Sequence, residues 1–250
     1  MCLKYKTPFS HLLAAAALLA QLLSPASATA APPTAATEAG EANPASPSGP
    51  RRVSFNDDWR FFRGEAPGAE QPGFDDRAWK ALRLPHDWAI DGPFDSALNP
   101  HTGGLPIDGV GWYRKSFKVG PGEAQRYYSI EFDGAMANSQ VWLNGHELGG
   151  RPYGYIGFGF DLTPYLHTDG TPNVIAVRLA PEPNSSRWYP GAGIYRNVWL
   201  ITTGPIAVAR WGTYVTTPQV STSSATVSVK TELSNRLPDK ATITIRSTIV

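Results

Sequence analysis

From Arg51 onward the sequence predicts an all-β protein, a sandwich or a barrel, on three observations. Helical periodicity is almost absent. Short runs of alternating apolar and polar residues dominate instead, and Gly, Pro, Asn and Asp punctuate them at close intervals.

The elements follow in order. In "RYYSIEFDG" Tyr128, Ile130 and Phe132 share one face, while Ser129, Glu131 and Asp133 share the other. "SQVWLNGHELGG" places Asn144-Gly145 between two strand-like arms, and both residues tolerate the positive φ angles that a two-residue hairpin turn demands. "NVIAVRLAP" (173–181) and "YRNVWLITT" (195–203) supply two more strands. A boundary is expected near Gly204-Pro205. Beyond it "ATVSVKTELSN" alternates with Val227, Val229, Thr231 and Leu233 on one side, and "KATITIRSTIV" repeats the pattern. These read as the opening strands of a second β-sandwich of immunoglobulin type, a fold of about 100 residues and seven strands. Residues 205–250 are too few for it, so the sequence reads as truncated within an incomplete sandwich, leaving bare edges and an uncovered apolar face.

The N-terminal region reads differently. Lys4 and Lys6 precede the apolar run "HLLAAAALLAQLL" (11–23), and small residues follow at Ala26, Ala28 and Ala30. Residues 1–30 therefore predict a secretory signal peptide, and a retained membrane anchor is the alternative. Residues 31–50 hold no aromatic or large aliphatic side chain, which predicts a disordered Pro/Ala-rich linker. A mature chain would then be periplasmic or secreted, with no membrane contact after cleavage. Cys2 is the single cysteine and lies in that leader, so no intramolecular disulfide or Cys-ligated metal site is expected. Without Lys4 and Lys6, the 22 basic residues fall to 20 against 21 acidic, a balance that argues against nucleic acid as a partner. Eight tryptophans and ten tyrosines are flat faces that serve a core or stack on sugars.

Several residues are candidates for chemistry. Asp57-Asp58 and Asp75-Asp76 are neighbours in sequence. In a strand they would point to opposite faces, so they read as turn and strand-end residues rather than a working pair. In "PHDW" His86-Asp87 is either a base and its orienting carboxylate, or a strand end where Pro85 stops pairing and Asp87 bonds loop backbone. "NPHTGGLPIDGVGW" (99–112) is a long loop; its His101 lacks a second ligand at metal spacing and reads as a solvated histidine. In "SSRWYPGAGIYRNVWL" (185–200) the glycines suit a tight corner, and Ile194, Val198 and Leu200 feed a core. Tyr195, Arg196 and Trp199 read as facing a neighbouring domain. Arg187 offers a fork of donors for hydroxyls or carboxylates, and Trp188 a stacking face; a purely structural role for both stays open.

Four segments together resemble the N-terminal sugar-binding domain of glycoside hydrolase family 2, above all its secreted bacterial β-galactosidases. They are "LRLPHDWAIDGPF" (82–94), "GVGWYRKSFKV" (109–119), "VWLNGHELG" followed by "GFGFDLTPYL" (141–166), and "SRWYPGAGIYRNVWL" (186–200). The resemblance implies a galactose-binding-like jelly-roll β-sandwich over 51–204, the start of an immunoglobulin-like domain over 205–250, and a catalytic barrel further downstream. It implies retaining hydrolysis of terminal β-galactosides by two carboxylates on that barrel, with β-glucuronidase and β-mannosidase as competing specificities. Such a pair stands about 5–5.5 Å apart across the glycosidic bond, and no catalytic residue is expected in this chain. The resemblance also turns Asp87, Arg187 and Trp188 toward the sugar pocket. Arg187 stands where some relatives carry a metal-holding acid, so no metal or other cofactor is expected. A β-galactoside-type carbohydrate is the expected ligand. Two other readings stay open, a free-standing carbohydrate-binding module and a non-functional truncated product.

Overall fold

The computed structural model describes residues 50–248. The leader expected over 1–30 with Cys2, the linker over 31–50 up to Pro50, and Ile249-Val250 lie outside them. Among the described residues no helix is long and apolar enough to cross a membrane.

The fold is all-β. In chain order the strands are β1 (Arg51–Ser54), β2 (Trp59–Arg63), β3 (Lys80–Leu82), β4 (Gly111–Lys118), β5 (Tyr127–Phe132) and β6 (Ser139–Leu143). They continue with β7 (His146–Arg151), β8 (Phe158–Asp161), β9 (Pro172–Leu179), β10 (Val198–Thr203), β11 (Ile206–Val220) and β12 (Ala225–Asn235). Two antiparallel sheets carry the first ten strands, one ordered β1-β10-β5-β8 and the other β3-β2-β4-β9-β6-β7. Tyr128, Ile130, Phe132, Phe158 and Val198 from the smaller sheet share one buried cluster with Tyr113, Val141, Leu143, Ile175 and Val177 from the larger. Burying each such side chain stabilises the fold by about 1.5–3 kcal/mol, so the two sheets form a β-sandwich around this core.

Local sequence explains why these strands form where they do. Along β5 burial alternates strictly, with Tyr128, Ile130 and Phe132 inside, as their spacing predicts. At the β6–β7 hairpin Asn144 and Gly145 take φ values of 53° and 84°, the positive pair that matches the strand twist. The Asn144 side chain adds a second constraint, because its Oδ1 accepts from Val174 N at 2.8 Å and its Nδ2 donates to Tyr165 O at 2.8 Å.

The outer face of the larger sheet is covered by residues 64–79. Ala66, Ala69 and Trp79 bury Trp112 and Ala176 there. Arg114 on β4 ties this cover down: Nε donates to Asp76 Oδ2 at 2.8 Å, and Nη1 donates to the Ala69 and Gln71 carbonyls. Its side chain is 2% exposed. Asp76 is therefore the counter-ion of a buried arginine, while Asp75 holds Arg77 at the surface.

After β10 the chain forms one ribbon, β11 paired with β12, with register shifts between Val208 and Thr213 and between Thr216 and Gln219. Val215 faces Val229 across the pair, and both are exposed, as is Val227. The further strand expected in "KATITIRSTIV" does not form over 240–248, where Ile243 and Ile245 lie exposed. An alternating run becomes a strand only where a neighbouring strand and a facing layer accept it, and neither stands beside these residues.

Replacing Arg114 with Ala is expected to lower stability by roughly 3–5 kcal/mol, because Asp76 and the loop carbonyls lose a buried partner. Urea unfolding of both proteins checks this, and proteolysis within 64–79 should become faster.

Candidate functional site

One end of the sandwich gathers the loops that the sequence singled out. Pro85 and Trp88 flank His86 and Asp87 in the segment after β3, and the loop 185–197 leads into β10. The two lie side by side through paired backbone bonds: His86 N donates to Ile194 O and Trp88 N to Ala192 O, both at 2.9 Å. Gly193 is also paired with Met136 in both directions at 2.9 Å. A Cβ at Gly193 would stand 2.5 Å from both His86 O and Tyr113 Oη, and its φ is 122°, so only glycine serves there.

Asp87 fastens this corner. Its Oδ1 accepts from Ala89 N and Ala192 N, each at 3.0 Å. Its Oδ2 accepts from the Tyr189 hydroxyl at 2.6 Å. Burial, followed by this bond to the carboxylate, holds the Tyr189 phenol well above its ordinary pKa. Both oxygens of Asp87 are thus engaged by protein. Of the two readings of "PHDW", the structural one describes the geometry, since Asp87 bonds loop backbone and does not orient His86. The imidazole has other partners: Nδ1 meets the Tyr113 hydroxyl at 2.7 Å, and Nε2 lies 3.5 Å from Asp91 Oδ2.

Arg187 and Trp188 stand on the outward side of the same loop. Arg187 is exposed and makes no hydrogen bond or ion pair with the described residues. Trp188 is 59% exposed, and its indole Nε1 donates to the Tyr155 hydroxyl at 2.9 Å. Tyr153 and Tyr155 meet edge to face at 5.5 Å, and both are exposed. Trp188, Tyr153 and Tyr155 make an exposed aromatic surface that starts at a clamped corner. Flat rings of this kind, beside an unpaired guanidinium, suit the C–H faces and hydroxyls of a sugar.

The 99–112 loop reaches the same segment. Asn99 Nδ2 donates to Asn184 Oδ1 at 2.8 Å. A cleft of about 440 Å³ opens there, lined by Asn99, Thr102, Leu105, Ile107 and Asn184 among others. His101 is exposed in the short 3-10 turn Pro100–Thr102, whose start is capped by Asn99. Trp199, by contrast, stays on the outer face of its own sheet, with Arg52 over its ring at 3.7 Å and its indole on Asp133.

Residues 54–204 match the family described as "Glycosyl hydrolases family 2, sugar binding domain". The chain belongs to glycoside hydrolase family 2. It is 52% identical over 201 residues to beta-galactosidase BoGH2A of Bacteroides ovatus, covering 79% of this chain and 23% of that protein. It is 32% identical over 220 residues to a beta-glucuronidase of Formosa agariphila, covering 79% and 22%. Among solved structures, a glycosyl hydrolase family 2 member from Bacteroides cellulosilyticus superposes with a TM-score of 0.69 at 36% identity, over 74% of this chain and 25% of that one. A family 2 beta-glucuronidase superposes with a TM-score of 0.69 at 31% identity, over 76% and 22%. The chain thus spans about a quarter of the length of these relatives.

Within this family 2 domain, Asp87, Arg187 and Trp188, the residues named from the sequence, lie at one corner with contacts the sequence did not announce: Tyr189 on Asp87, Tyr155 on Trp188, and Asn99 on Asn184 nearby. The aromatic run "YGYI" was a visible signal for Tyr155. The Asn99–Asn184 bond joins residues 85 apart and has no local signature.

Asp87→Ala is expected to lower stability by about 2–3 kcal/mol, since two amides and a phenol lose a charged acceptor. Asp87→Asn should lose much less, because its carbonyl still accepts from both amides. In both variants the Tyr189 phenol should titrate closer to its ordinary value, which absorbance of tyrosinate against pH reads directly.

Proposed function

We propose that this chain supplies the sugar-binding and scaffold domain of a secreted retaining glycosidase acting on terminal β-galactosides. The observation that carries the reading is the 52% identity with the Bacteroides ovatus beta-galactosidase. In this reading residues 51–204 are the sugar-binding domain, 205–250 begin an immunoglobulin-like domain, and acid/base and nucleophile belong to a barrel outside this chain. The chain's own part is to bind and orient. Trp188 offers its face to the sugar ring, and Arg187 donates to hydroxyls. Asp87 acts indirectly by holding Tyr189 and Ala192, so that the loop presents both residues without reordering. Preorganisation of this kind lowers the entropy that binding must overcome.

A second reading, β-glucuronidase specificity, is favoured by the unpaired Arg187, whose guanidinium matches a uronic carboxylate in a two-pronged geometry. The Formosa agariphila beta-glucuronidase among the relatives fits the same reading.

Titration of the purified chain with methyl β-galactoside and methyl β-glucuronide, followed by NMR of the tryptophan indoles, separates the two. The expected result is weak binding of the galactoside, made about three- to tenfold weaker by Trp188→Ala. Tighter binding of the glucuronide, lost in Arg187→Ala, moves the reading to the second specificity. Absence of binding by either sugar overturns the sugar-facing roles. The chain alone is expected to leave an aryl β-galactoside intact; hydrolysis abolished by Asp87→Ala or Arg187→Ala would overturn the assignment of catalysis to another domain.

A further inference from the structure

The imidazole of His86, 10% exposed, sits where the two loops meet. Its surroundings fix its protonation state through an ordered set of donors. The Tyr113 hydroxyl packs against Gly193, where a Cβ would stand 2.5 Å from it, and Ile194 O beside it accepts from His86 N at 2.9 Å. The Asp91 carboxylate facing Nε2 favours a proton on that nitrogen and leaves Nδ1 as the acceptor, so Tyr113 directs its own proton to His86 Nδ1 at 2.7 Å. His86 is then the neutral tautomer that carries its proton on Nε2, facing Asp91 Oδ2 at 3.5 Å. Asp91 is held in turn by Lys80 Nζ at 2.6 Å. The Phe61 ring lies 4.6 Å from the imidazole, and Tyr113 has no exposed surface.

A second proton on this ring would not fit. Nδ1 would become a donor facing a donor, and the Tyr113 hydroxyl proton would have to turn into a fully buried space. A buried hydroxyl without an acceptor is strongly disfavoured. Relief comes from moving apart the groups that meet at the hydroxyl; one of them, Gly193, belongs to the loop that carries Arg187 and Trp188, and its neighbour Ile194 is the residue paired with His86 N.

We propose that His86 is a proton-operated latch on the 187–194 loop: a proton on Nδ1 takes the acceptor from the Tyr113 hydroxyl and releases Gly193 and Ile194 from the turn at 85–88. The charged groups around the ring are Asp91, Lys80 and Asp87. Burial lowers the His86 pKa and is the largest influence; Asp91 and Asp87 raise it, and Lys80 lowers it. The latched form therefore binds fewer protons than the open one. Its stability is fully present above the ordinary histidine pKa of about 6.5 and declines as pH falls below that value. The consequence for sugar rests on the reading given above, but the latch does not, and its test involves no sugar.

Hydrogen exchange of the purified chain, read by mass spectrometry at about pH 7.5 and about pH 5.5 with the intrinsic pH dependence removed, tests it. Protection of peptides spanning 187–194 is expected to fall roughly tenfold at the lower pH, the equivalent of one pKa unit. Peptides from β5 should keep theirs. His86→Gln, which still accepts from Tyr113 but cannot titrate, should hold the loop equally at both pH values. Tyr113→Phe should leave the loop weakly protected at both, and it serves where the glutamine variant does not fold. A wild-type loop indifferent to pH, a fall shared by β5, or a pH response retained in either variant would overturn the latch.

Discussion

Three donors converge on the Asp87 carboxylate, two backbone amides and one phenol, and the placement of the site loop follows from them. The loop from Ser185 to Asn197 has no regular ladder of its own beyond one bridge at Gly193. Its polar backbone must nevertheless be satisfied where Ala192, Gly193 and Ile194 are buried. Asp87 and the backbone pairs at 86–88 meet that demand, and they do so from one short segment. The far side of the loop is then free of structural duty, which is why a tryptophan with more than half its surface in solvent can stand on it.

The legible parts of the sequence were those governed by near neighbours. Alternation announced β5, and Asn144-Gly145 announced the hairpin, because pleat and turn geometry act over a few residues. The alternation at 225–235 was also realised, whereas the same pattern at 240–248 was not. Period alone cannot say whether a partner strand is present. What stayed hidden were long-range polar contacts. Arg114 meets Asp76 38 residues away, and His86 meets Tyr113 27 residues away. Both depend on how the sheet brings loops to β4. Asp87 was singled out for the sugar pocket, and its geometry shows a carboxylate occupied by the protein's own donors.

Family and specificity rest on different parts of the molecule. The family follows from the match over 54–204, and the β-sandwich from its two opposed sheets. Specificity rests on fewer atoms. Relatives named for galactosides and for glucuronides share this domain's framework. A framework of buried strands cannot distinguish a hydroxymethyl group from a carboxylate. Exposed residues with unused donors can, and in the proposed reading Arg187 is such a residue at this end of the sandwich.

The β11–β12 ribbon has a practical side. Its valines at 215 and 229 lie opposite each other in solvent, on a ribbon whose outer edges offer unpaired amides and carbonyls. Such an edge is a template for another chain. In concentrated preparations this ribbon is where molecules would adhere to one another, independently of sugar. A lysine in place of Val229 would set like charges against each other when two ribbons meet, leaving the sandwich and its loops untouched.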